Sequence, residues 1–189
     1  MAQNDSIREL IEVILKENRD LVSTLSNEAK EHFIERILSA DSIFFCAQGR
    51  AGFVLRCFCM RLMHLGFQVY FCGETITPAV TAGELLVVLS GSGETPSTLE
   101  AVRSAKAHKA VTFGLLGNPD SEIAAQADNY IFLPGTTKLR RDNEPDSLQM
   151  AGSLFEQSAF LFLEAVVLEL YQQRKQDVGS ISSRHAVIE

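Results

Sequence analysis

The chain has 189 residues, of single-domain size, and a domain this long buries roughly 70% of its unfolded surface without needing disulfides or metal to staple it. Hydrophobic residues at 46% and charged residues at 22% exclude disorder, and 17 basic against 24 acidic residues give a net charge of −7. With no basic run in that balance, nucleic acid and anionic membranes are poor partners. No apolar stretch reaches the ~18 residues of a membrane helix and the N-terminus has no signal-peptide core, so a cytoplasmic location is expected.

In chain order, the spacing first predicts two helices within 5–39. Ile7, Leu10, Ile11, Ile14 and Leu15 recur at helical intervals, as do Phe33, Ile34, Ile37 and Leu38, and Ser26 is a natural N-cap between the segments. Five short apolar runs follow: Ile43–Ala47, Val69–Cys72, Leu85–Leu89, Val111–Leu116 and Tyr130–Leu133. Each is nearly continuous rather than alternating, the pattern of strands buried on both faces of a parallel sheet. Between and after them lie helical stretches: Phe53–Leu65 stopped by Gly66, Pro96–His108, Ser121–Ala127 and a long one at Gly152–Gln173. This alternation predicts a doubly wound α/β/α sandwich, one domain over 1–189 with a polar tail at 176–189. Cys46, Cys57, Cys59 and Cys72 lack zinc-ligand spacing and read as reduced core thiols.

Open α/β sheets bind ligands beyond the carboxyl ends of their strands, where strand order reverses. In the common 2-1-3-4-5 order that reversal lies between strands one and three, which singles out Gln48-Gly49-Arg50-Ala51-Gly52 and Ser90-Gly91-Ser92-Gly93-Glu94-Thr95-Pro96. In the second loop, Thr95 before Pro96 reads as an N-cap with proline at the first helical position. Unpaired amides of that first turn, with the hydroxyls of Ser90, Ser92 and Thr95, make an anion site suited to phosphate. Neither a P-loop nor a dinucleotide fingerprint is present.

With these loops the chain resembles the sugar isomerase (SIS) domain, and within it the 6-phospho-3-hexuloisomerases of the ribulose monophosphate pathway. The stretches that carry the likeness run along the chain: Arg61–Phe67, Gly73–Pro78, Ser90–Thr95, Gly117–Ser121, Leu154–Gln157 and Arg184–Glu189. Ala51 stands where the family usually has Ser, and Met150 where a Pro is expected. The resemblance implies a five-stranded parallel sheet in flavodoxin-like order and a homo-oligomer, tetramer or dimer. It implies interconversion of 3-hexulose 6-phosphate and fructose 6-phosphate through a cis-enediol, with no cofactor or metal. Ser90, Ser92 and Thr95 would hold the phosphate and Glu156 would be the base. An isomerase of the arabinose 5-phosphate type and a non-catalytic sugar-phosphate-binding module are the alternatives.

On residue type alone, Glu156 is either a base with its pKa raised by burial or an acid snorkelling to water. Arg50, beside Gly49, would assist the phosphate or pair with an acid of the fold. His64 would polarise a carbonyl or simply complement a helix C-terminus. Glu74 would contact sugar hydroxyls or stay solvated, and His185 would reach a neighbouring subunit's site or fray with the tail.

Overall fold

The computed structural model describes residues 6–138, 144–174, 178–185 and 187. Helix α1 (Ile7–Val22) starts at a capping box in which the Ser6 hydroxyl accepts the Glu9 amide and the Glu9 carboxylate accepts the Ser6 amide. Ser26 caps α2 (Asn27–Ser39) through the Ala29 amide. Residue 5, where the spacing begins the first helix, and most of the ends of the 176–189 tail lie outside the described residues. Within that tail, a short helix spans Val178–Ser182.

The five apolar runs are five parallel strands in the order β2-β1-β3-β4-β5. They are β1 (Ile43–Ala47), β2 (Val69–Phe71), β3 (Leu85–Ser90), β4 (Val111–Leu116) and β5 (Asn129–Phe132). β1 and β3 are buried along their whole length, as continuous apolar runs require when helices cover both faces. Side-chain alternation divides the interior in two. Ile43, Phe45, Leu85, Val87 and Leu89 face a core closed by α2, α3 (Gly49–His64) and α6 (Ser153–Arg174). Phe44, Cys46, Leu86 and Val88 face the other core, closed by α4 (Pro96–Ala107) and α5 (Glu122–Gln126).

Phe33 anchors the first core, its ring 4.7 Å from that of Phe113 and about 6.1 Å from those of Phe58 and Phe162. α1 docks on α6 outside this core, joined by Asn18 donating to Gln157 at 2.7 Å. The strand order reverses between β1 and β3, so the loops after these strands diverge to opposite faces and leave a crevice between them.

Three sequence readings are corrected. Gly49–Gly52 is the first turn of α3 rather than a loop before a helix at Phe53. Cys57 is exposed, so only Cys46 of the four is a fully buried thiol. The edge strand β2 ends at Phe71, which leaves Cys72 at its rim.

Candidate active site

At the crevice, the chain leaves β3 at Ser90 and enters α4 at Pro96, with Thr95 as N-cap. The Thr95 side chain caps no helix amide; its hydroxyl lies 3.2 Å from that of Ser90. Ser90, only 3% exposed, accepts the Gly93 amide at 3.0 Å, and Ser92 accepts the Glu94 amide at 3.2 Å. These bonds wind the loop into a tight cradle. Gly93 makes that turn possible: its φ is +68°, and a Cβ there would stand 2.0 Å from the Ser121 hydroxyl. Helix α4 starts at this cradle, so its first-turn amides, which lack intrahelical acceptors, bring the partial positive charge of a helix start there.

The opposite wall comes from α3 and α6. Glu156 lies in the first turn of α6 and is 7% exposed, with Arg50 Nε 3.1 Å from its Oε2. That contact is an ion pair without hydrogen-bond alignment, and Oε2 has no hydrogen-bond partner among the described residues. Arg50 is held by donating from its guanidinium to the Ser153 hydroxyl at 2.9 Å. Burial pushes the Glu156 carboxyl above the ordinary glutamate value, and the charges of Arg50 and Lys138 only partly offset it. Being largely solvent-exposed, Arg50 exerts a screened effect.

The cleft between these walls encloses about 540 Å³, its open mouth included, and is lined by Gln48, Arg50, Ser90, Ser92, Thr95 and Glu156 among others. It therefore brings the hydroxyl cradle, Arg50 and the acid into one space. Gly49 supplies the positive-φ turn, at +60°, that starts α3 beside Gln48.

Lys138, Thr137, Gly152 and Phe155 also line the cleft, and reasoning from the switch point alone misses them. Thr137, Lys138 and Gly152 belong to the connection after β5 and Phe155 to the first turn of α6, brought here because α6 packs against α3. Lys138 adds the second cation beside Glu156. Gly117 permits this close meeting of loops, since a Cβ there would lie 2.7 Å from the Gly91 carbonyl and 3.0 Å from Phe155.

Three sequence candidates lie elsewhere in the chain. Glu74 pairs with Arg56 at 2.6 Å, outside the cleft. His64 ends α3, about 22 Å from the helix's start at the cleft by the 1.5 Å rise per residue. It is buried and stacked on His185, their ring centroids 3.9 Å apart. Burial, then His185 and Arg61, push the His64 imidazole below its ordinary value, so it is neutral at pH 7 rather than a helix-end cation. Guanidinium groups take that capping role instead: Arg184 donates to the His64 carbonyl and Arg174 to that of Leu65. Within one chain, neither histidine reaches the cleft.

A hydroxyl-lined cradle at the switch point, facing a buried carboxylate on the last long helix, is the ligand crevice of a doubly wound α/β domain. The family model described as SIS domain matches residues 36–138, and the chain belongs to that family, in its 3-hexulose-6-phosphate isomerase branch. The 3-hexulose-6-phosphate isomerase of Bacillus subtilis is 37% identical over 181 residues, covering 96% of this chain and 98% of the relative. That of Mycobacterium gastri is 35% identical over 185 residues, 98% of this chain and 92% of the relative. A crystal structure from Methanococcus jannaschii, for which a molecular function of 3-hexulose-6-phosphate isomerase was inferred, superposes with a TM-score of 0.82 at 32% identity. It covers 96% of this chain and 99% of that one.

Proposed function

We propose that the protein is a phosphosugar isomerase interconverting 3-hexulose 6-phosphate and fructose 6-phosphate. The observation that carries this reading is the pairing of the hydroxyl cradle with Glu156 in one cleft. The phosphate sits on the amides at the start of α4 and the hydroxyls of Ser92 and Thr95, with Ser90 shaping the loop and donating from within it. The carbon chain then extends toward Glu156.

The Glu156 carboxylate removes the proton from C2 of the 3-ketose. Electrons move into a C2=C3 double bond and onto the carbonyl oxygen at C3, giving an enediolate. Proton transfer between the two oxygens, and return of a proton from Glu156 to C3, produce fructose 6-phosphate. Arg50 and Lys138 stabilise the negative charge that develops on the enediolate oxygens. A carboxylate whose pKa is raised by burial is a better proton acceptor than an exposed one. The same reading makes the catalyst a homo-oligomer, with α1 and α6 meeting a second copy.

Incubation with fructose 6-phosphate, followed by chromatographic resolution of the two hexulose phosphates, tests the assignment. Approach to a fixed mixture of the two from either side is the expected outcome. Unchanged fructose 6-phosphate beside a thermal shift with the same ligand would identify a binding module instead.

A further inference from the structure

The cysteines are not used by this chemistry, yet two of them are placed together. β1 and β2 pair in parallel with Phe44 opposite Tyr70 and Phe45 opposite Phe71. The pairing continues one residue further, because the Cys72 amide donates to the Phe45 carbonyl at 2.8 Å. Cys46 therefore stands opposite Cys72. Their side chains share a face: the rings of Phe44 and Tyr70, two residues back on each strand, meet there at 5.2 Å. Cys46 belongs to the core on that face and Cys72 packs against it. Neighbouring strands run about 4.8 Å apart, inside the ~4.4–6.8 Å range of Cα separations that a disulfide spans.

Access is one-sided. Cys46 is 5% exposed, whereas Cys72 is half-buried and lines a cavity beneath the connection from β2 to β3, with Gly73, Thr77, Val80 and His108. The thiols differ in character as well. The facing Cys46 thiol holds Cys72 below the ordinary cysteine value, while the same contact and burial push Cys46 far up. The reachable thiol is thus the nucleophile and the hidden one its resolving partner.

We propose that Cys46 and Cys72 form a reversible disulfide when the protein meets a peroxide, tying the three-residue edge strand β2 to β1. The Cys72 thiolate attacks the peroxide's terminal oxygen; the O–O bond breaks, the leaving oxygen takes a proton, and Cys72 becomes a sulfenic acid. The Cys46 sulfur then attacks the Cys72 sulfur, forming the S–S bond, and the hydroxyl leaves as water with the Cys46 proton. The two thiols are oxidised by two electrons and the peroxide is reduced by two; a dithiol reverses the bond by exchange. Cys57 and Cys59 cannot substitute, since residues two apart on a helix point to different sides.

The test is titration of the full chain with hydrogen peroxide, followed by thiol counting in denaturant and tryptic mass mapping. The count should fall from four to two, with a bridge joining the peptides 37–50 and 62–103, and dithiothreitol should restore both. In the Cys57→Ser, Cys59→Ser background the count should fall from two to zero, and adding Cys72→Ser should prevent the bridge. Cys46→Ala gives the second variant; it should stop at a Cys72 sulfenic acid trapped by dimedone. Four thiols surviving, or a bridge between Cys57 of two molecules with Cys46 and Cys72 still reduced, would overturn the proposal.

Discussion

At the scale of single residues, Glu156 combines burial with two cations, and the balance between them gives separable predictions. Glu156→Gln keeps the shape and removes the base, so kcat should fall by about 10²–10⁴-fold with the circular dichroism spectrum and sugar-phosphate binding retained. The raised carboxyl also carries a stability consequence. A group with a folded-state pKa above its unfolded value stabilises the fold below the unfolded pKa, and that contribution is lost as pH rises through the folded value. At pH 8 the Gln variant should therefore melt no lower than the parent, and a clearly lower Tm would count against an unfavourable buried charge. The acid limb of kcat/KM should lie above the ~4.3 of an ordinary glutamate. Arg50→Met, by removing the charge that draws this carboxyl down, should shift the limb to still higher pH; a limb that stays fixed would separate Arg50 from Glu156. The carboxyl of Glu156 was legible in the sequence as an acid among Leu154 and Phe155, but its pairing with Arg50 was not. The partners lie far apart in the chain, and only the packing of α3 on α6 sets their distance.

At the scale of elements, the strands were the most readable feature, because a strand covered on both faces must be apolar throughout. The strand-to-helix loop at Ser90–Pro96 was readable for a related reason: glycines and a Thr-Pro cap have few other uses. The connection after β5 was not, since no local pattern states that α6 returns to the crevice and brings Lys138 with it. The cradle makes two predictions. Ser92→Ala with Thr95→Val should raise KM with kcat nearly constant, as expected of groups that hold substrate and transition state alike; an unchanged KM would remove them from phosphate binding. Gly93→Ala meets both a positive φ and the Ser121 hydroxyl, the N-cap of α5. It should cost about 2 kcal/mol and lower Tm by roughly 4–8 °C. A variant that melts like the parent would show that the turn has another way to close.

At the scale of the whole molecule, apolar surface is unevenly distributed. Ile7, Ile11 and Leu15 on α1, Phe53 on α3 and Phe160 and Leu168 on α6 are all exposed, although each helix buries another side in the fold. Exposed apolar side chains on helices that also pack into the fold are what a self-association surface would present. Sedimentation at micromolar concentration should find an oligomer, and Leu15→Glu with Leu168→Glu should dissociate it; a monomeric parent would contradict the expectation. His64 and His185 stand at the opposite end of α3 from the cleft, so within one chain these two candidates do not converge on Glu156. Residue type identified chemistry there, but the length of a helix put it elsewhere. At that end of α3, Arg174 and Arg184 close over the last carbonyls.

Proton transfer by Glu156 between adjacent carbons is tested most directly by hydrogen exchange into the substrate. Held in deuterium oxide with fructose 6-phosphate, the enzyme should place deuterium at C3 of the recovered sugar, and Glu156→Gln should leave C3 unlabelled. Labelling or turnover by the Gln variant at the parent's rate would contradict the account.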